Sequence, residues 1–213
     1  MKFEKYMNKK FNELELQPSL FYHWEPGIRF ELGIDYNVKD AYKDSLYLRN
    51  VYSRVTNLFS SLFLPEDEIF VIANVNDYGN ILKKKLKIFS PYVKEKSILY
   101  KIQQITIPYI FPEDDESEKY KTCRFILNCK VSDIRYNAML KSICNQDMGI
   151  KPKIPHDIFI VNINKNIIFH VYDDRGVDVI ATSIKSLKKV YSIYNDWILN
   201  SNRDKIDLFF KTI

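Results

Sequence analysis

The stretch Ile158-Phe159-Ile160-Val161-Asn162-Ile163-Asn164-Lys165-Asn166-Ile167-Ile168-Phe169-His170-Val171-Tyr172-Asp173-Asp174-Arg175-Gly176-Val177-Asp178-Val179-Ile180-Ala181 decides the fold class. Two runs rich in β-branched and aromatic residues, Ile158 to Ile163 and Ile167 to Tyr172, flank Asn164-Lys165-Asn166. Asn tolerates left-handed backbone angles, so the pattern predicts a β-hairpin. Asp173-Asp174-Arg175-Gly176 is a second turn signal, with Gly176 expected to supply a positive φ. Val177 to Ala181 then makes a third strand, giving a three-strand meander at the C-terminal end.

Working outward, Ser183 stands before an amphipathic helix carrying Leu187, Val190, Tyr191, Tyr194, Trp197 and Ile198, and a last short helix holds Ile206, Phe209 and Phe210. Upstream, Cys123, Phe125, Leu127 and Cys129 alternate with Arg124, Ile126 and Asn128, predicting another strand. Ser132 reads as the N-cap of a helix running to about Gln146, with Asp133 in its first turn. Phe3, Met7, Phe11 and Leu14 recur at helical spacing. Ile28, Phe30 and Leu32 alternate with Arg29 and Glu31, predicting a strand. An apolar stripe from Leu48 to Leu62 predicts a long helix over about Val38 to Phe63, stopped by Pro65. Glu68 to Val75 reads as a buried strand, Asn76 to Asn80 as a turn, Ile81 to Val93 as a helix with a basic face at Lys83, Lys84, Lys85 and Lys87, and Ser97 to Tyr109 as a strand with a slip in phase.

These elements lack regular βαβ alternation. The expected fold is α+β: a mostly antiparallel sheet with a C-terminal three-strand meander, packed by amphipathic helices. Residues 1–213 read as a single domain. The acidic stretch within 112–121 is the one place for a subdivision, and it is read as a hairpin connection.

Composition narrows the function classes. The 213 residues carry 32 basic and 27 acidic side chains, a net charge of +5 spread along the chain. Nucleic-acid binding asks for a concentrated basic stripe, so a nucleic-acid partner is not expected. Cys123, Cys129 and Cys144 are too few and too scattered for a disulfide framework or a zinc site, and they read as core thiols. Met1 to Phe11 has no apolar h-region, and no apolar run approaches the ~20 residues of a membrane span. A soluble cytoplasmic protein with no membrane association is expected.

Glycine-rich phosphate loops, Gly-x-Ser-x-Gly and His-Glu-x-x-His are all missing. No catalytic residue, metal ligand or cofactor is assigned. His23 lies among aromatics, His156 stands beside Asp157, and His170 sits mid-strand. The densest polar constellation is His170, Tyr172, Asp173, Asp174, Arg175 and Asp178. One reading makes it an ion-binding turn, with the Arg175 fork for an anion or the carboxylates for a metal or base. The other makes it a charged hairpin tip whose Asp173 bonds its own turn and whose Arg175 closes it by ion pairing. The second reading is favoured. Arg29 and Glu31 share a strand face and are grouped with Asp133, Arg135 and Tyr136 as a second candidate network, against the plainer reading of a solvated face.

Tyr22-His23-Trp24 with Gly27 to Gly33, Ser132 to Tyr136, Tyr172 to Ala181 and Tyr194-Asn195-Asp196-Trp197-Ile198 form an ordered series. It resembles the bacterial domain-of-unknown-function 3885 family across most of the chain, most closely from about 155 to 200. The resemblance implies a small bacterial cytosolic protein and no particular activity. The leading expectation is a non-enzymatic protein-binding module of the immunity or accessory type, resting on the missing catalytic motifs, the many Tyr and Trp residues suited to interfaces and a compact α+β body. A basic charge sits poorly with inhibition of a nuclease, whose inhibitors are acidic. The alternative is an undescribed enzyme with a polar site around His170, Tyr172, Asp174 and Arg175.

Overall fold

A computed structural model describes residues 2–78, 88–115 and 119–211. The chain is mixed α+β, built on one open seven-stranded antiparallel sheet. Its strands are β1 (Gly27–Glu31), β2 (Glu68–Asp77), β3 (Gln103–Pro108), β4 (Lys121–Lys130), β5 (Asp157–Asn162), β6 (Ile167–Val171) and β7 (Gly176–Ala181), in the order β1-β7-β6-β5-β2-β4-β3. The helices are α1 (Phe3–Phe11), α2 (Leu46–Leu62), α3 (Tyr136–Cys144), α4 (Ile184–Ile193) and α5 (Arg203–Phe210).

Strand alternation sends the apolar residues to two cores, one on each sheet face. Ile28, Phe30, Val71, Leu127, Ile160, Phe169 and Val179 face the larger core, under α2, α3, α4 and α5. Phe70, Ile72, Ile126, Phe159, Val161, Ile168 and Ile180 face the smaller one, covered by α1 and by Leu16 and Leu20 of the following segment. β5 pairs with β6 through a turn over 163–166, where Asn166 takes φ 52° and the Asn162 Oδ1 accepts from the backbone N–H groups of Asn164 and Lys165, each at 3.0 Å. β6 pairs with β7, and β7 with the edge strand β1. β3 and β4, joined across the acidic stretch, are also neighbours.

Several boundaries differ from expectation for local reasons. α2 begins at Leu46, not Val38: the buried Ser45 Oγ accepts from Leu48 N at 3.2 Å and caps it, while Val38–Asp40 forms a separate 3-10 turn. The 97–109 run is a 3-10 turn over Lys96–Lys101 followed by β3, which accounts for the phase slip. Ser132 caps no helix. It lies in a 3-10 turn, Val131–Asp133, where the Asp133 carboxylate accepts from Lys130 N at 2.8 Å, and α3 starts at Tyr136. Asn76 and Asp77 still belong to β2, which outruns its apolar stretch because β4 pairs with it to the end. Of the helix expected over 81–93, with its basic face at Lys83, Lys84, Lys85 and Lys87, residues 81–87 lie outside the described residues. Residues 88–93 are turns ending in a bridge between Val93 and Ile134.

Gly176 does not take the left-handed backbone expected of it. It opens β7 with ordinary strand geometry, and its lack of a side chain answers a different need. A Cβ there would fall 1.9 Å from the Tyr172 Oη and 2.8 Å from the Phe30 carbonyl oxygen, so the Tyr172 ring lies over the position.

Candidate functional site

The sheet divides the expected site residues between its two faces. On the face of the smaller core, β1 and β7 place Arg29 directly opposite Asp178. The guanidinium donates to Asp178 Oδ1 from Nε at 2.6 Å and to Oδ2 from Nη2 at 2.7 Å, a two-pronged pairing with a fully buried carboxylate. Phe21 N adds a third bond to Oδ2 at 3.2 Å. The Arg29 guanidinium carbon lies 4.7 Å from the Tyr22 ring centre, 5.1 Å from that of Tyr172 and 5.7 Å from that of Phe21. Burial works against the Arg29 charge, and the bonds and charge of Asp178 outweigh it, holding the guanidinium above its ordinary value.

His170 completes this cluster from β6, opposite Asp178 in the ladder. It is wholly buried and stacks on Phe159 with ring centres 4.2 Å apart. Its Nδ1 lies 3.2 Å from the Ile158 carbonyl, which only accepts, so Nδ1 carries the proton. Nε2 is buried and has no hydrogen-bond partner among the described residues. Burial pushes the imidazole down to about 4, against the pull of Asp178 and with the push of Arg29. The ring is therefore neutral near pH 7. Burial likewise raises the Tyr172 phenol.

The tip between β6 and β7 turns toward the other face. Asp173 accepts from its own turn: Arg175 N at 2.7 Å and Arg175 Nε at 2.8 Å, with Nη2 close by. Asp174 Oδ2 takes a 2.5 Å hydrogen bond from the Tyr47 hydroxyl of α2. Burial raises Asp174 above the usual carboxylate range, and the Tyr47 bond opposes that. Arg175 also reaches toward Asp147 at 3.9 Å, and its carbonyl accepts from Leu32 N at 2.8 Å. Thus His170, Tyr172 and Asp178 gather with Arg29 on one face, while the Asp174 carboxylate is engaged on the other. Glu31 lies opposite Gly176 and near Arg54, whose Nη1 donates to the Glu31 carbonyl at 2.9 Å.

The grouping of Arg29 and Glu31 with Asp133, Arg135 and Tyr136 does not hold. β1 is five strands from β4 in the sheet, roughly 24 Å at ordinary strand spacing. Asp133 serves its own turn, Arg135 bonds the Val93 carbonyl and Tyr136 stacks on Phe59. The three cysteines are buried free thiols.

Two features escape a reading by motif. The first is a clamp around residues 34–46. Gly33 sits so close to Tyr47 that a Cβ there would fall 2.0 Å from its Oη and 2.9 Å from the Asp174 carbonyl oxygen. The tip, Gly33 and Tyr47 thereby fasten both ends of a segment that exposes Ile34, Tyr36, Val38, Tyr42 and Leu46. Most of the segment falls in the stretch expected as the start of the long helix over about Val38 to Phe63, so no local pattern announces it. The second is a cavity of about 350 Å³ at the start of β5, lined by His156 and Asp157 and by Asn76, Tyr78, Phe111 and Gln146. Its residues come from four separate parts of the chain, so no local spacing announces it.

Among the described residues no three His, Cys, Asp or Glu side chains are placed to hold a metal ion, and no helix is long and apolar enough to cross a membrane. No solved structure matches the chain. It is 38% identical over 203 residues to the "Uncharacterized protein YnaE" of Bacillus subtilis, covering 91% of this chain and 95% of that one. A family model described as "Domain of unknown function (DUF3885)" matches residues 3–202, with Arg29, the tip and the clamped segment all inside it. On both grounds the chain belongs to the DUF3885 family.

Proposed function

We propose that the protein is a non-enzymatic protein-binding module of a bacterial cytoplasm, that residues 34–46 are its contact surface, and that the Asp173–Gly176 tip is the device that holds this surface in shape. One observation carries the reading. Eleven large apolar side chains are exposed among the described residues, and five of them, Ile34, Tyr36, Val38, Tyr42 and Leu46, fall in this one segment. Exposed apolar residues scattered singly need no explanation, whereas five gathered within thirteen residues support an interaction site. Asp35, Lys39, Asp40, Lys43 and Asp44 interleave with them, which gives the polar surround a separable interface has. In this reading 1–213 is one domain, and β5, β6 and β7 act as a meander whose second turn is the fastening; their consecutive antiparallel pairing supports that.

The test compares the native chain with a variant carrying Tyr36→Ser, Val38→Ser, Tyr42→Ser and Leu46→Ser. A protein retained from cell extract by the native chain is identified, purified and titrated against both. The expected outcome is at least a hundredfold weaker binding by the variant at an unchanged melting temperature. Equal affinity for the two chains contradicts the assignment of the surface.

A further inference from the structure

The cavity at the start of β5 has a chemistry of its own and does not depend on the surface at 34–46. Asp157 pairs in register with Asn74 of β2, and its side chain turns into the cavity. It makes no hydrogen bond or ion pair with any described residue, and burial alone pushes the carboxyl up to about 6. A carboxylate that faces a cavity without a protein partner is free to pair with a charged ligand. No described residue supplies such a partner. Arg124, one strand beyond Asn74, directs its guanidinium at the Asn74 Oδ1 (2.8 Å) and the Leu16 carbonyl (3.2 Å). Asn74 is fully used, its Nδ2 donating to the same carbonyl at 2.8 Å.

The other walls suit an organic cation. His156 is kept neutral by burial, which lowers its affinity for a proton, so it presents an acceptor or a neutral N–H and adds no competing charge. The Asn76 and Gln146 amides offer polar contacts, with the Asn76 Oδ1 already accepting from Thr122 at 3.1 Å. Tyr78 and Phe111 supply aromatic surface, which attracts cations. A divalent metal would want several carboxylates or imidazoles, and this cavity holds one of each. Its volume falls within the range of small-molecule sites.

We propose that this cavity binds a small organic monocation, an amine or amidine, through an ion pair with Asp157. The probe is benzamidine, with neutral benzamide of the same shape as control, followed by calorimetric titration of the full chain. Benzamidine is expected to bind one to one, at least tenfold tighter than benzamide, and to weaken as the pH is lowered from 7.5 to 5 because Asp157 takes up a proton. Asp157→Asn is expected to lose at least tenfold in affinity with its melting temperature held. The contrast between the two ligands and the pH dependence read the same pair in the native chain, should that variant fail to fold. Equal affinity for benzamidine and benzamide, indifference to Asp157→Asn, or no saturable binding of benzamidine or of propylammonium overturns the proposal.

Discussion

At the residue scale, His170 shows how burial sets chemistry. A neutral imidazole stacks on Phe159 with Nδ1–H bonded to Ile158 and Nε2 without a partner among the described residues; burial lowers its proton affinity, the Asp178 charge raises it and the Arg29 charge lowers it. Its folded value of about 4 lies below the unfolded value near 6.5. The unfolded chain therefore takes the proton first as pH falls, and stability is lost between pH ~6.5 and pH ~4. Between pH 7 and pH 5 this one group accounts for roughly 2 kcal/mol of loss. Asp157 has the opposite sign in the same window: its folded value is raised, so acid favours the folded chain through it. Urea unfolding at pH 7 and pH 5 separates the two. The native chain is expected to lose roughly 2 kcal/mol more than the His170→Gln chain. Parallel losses would contradict the assignment of the neutral ring. Gly176 teaches a related lesson. A glycine after Asp-Asp-Arg invites a positive φ, yet the requirement comes from Tyr172 and Phe30, residues four and 146 positions away that meet only in the folded chain.

At the element scale, one charged pair reinforces the ladder that joins the edge strand β1 to β7. Asp178 is wholly buried and takes three bonds, two of them from Arg29. Removing a single partner of such a pair strands a charge and costs about 3–5 kcal/mol, whereas replacing both with apolar residues costs far less. Arg29→Met is thus expected to be much more destabilising than Arg29→Met combined with Asp178→Leu, as read by melting temperature and chemical unfolding. Additive losses in the double variant would show that the two side chains do not act as a pair. The strands themselves were legible because alternation survives wherever one face is buried, as in Ile28-Arg29-Phe30-Glu31-Leu32 and Cys123 to Cys129. The polar members of those alternations were less so. Arg29 reads as a solvated residue, because nothing local reveals that α1 and the segment after it cover that face with a second core. Helix ends failed where local caps decided them: Ser45 lies inside the stretch expected as helix from about Val38, ahead of the apolar stripe that starts at Leu48, and Ser132 is engaged in a tighter turn.

At the scale of the whole molecule, the sheet sorts one compact string of polar residues into separate tasks. Tyr172 and Asp178 close over Arg29 on one face. Asp173 and Arg175 fold the tip. Asp174 reaches through to Tyr47 on the other face and, with Gly33, pins both ends of residues 34–46. The tip was visible in sequence as a charged turn; what it fastens was not, since Tyr47 lies 127 residues from Asp174. Its worth as a contact surface is tested most directly by light-driven crosslinking in the cell that makes the protein. A photoreactive phenylalanine analogue is placed singly at Tyr36, at Tyr42 and, as a control, at Tyr100, which is equally aromatic and 88% exposed but stands apart from the segment. The same discrete adduct is expected from positions 36 and 42, none from position 100, and loss of the adduct when Asp174→Ala releases the clamp. No adduct from 36 and 42, or an equal one from 100, would contradict the assignment of this surface.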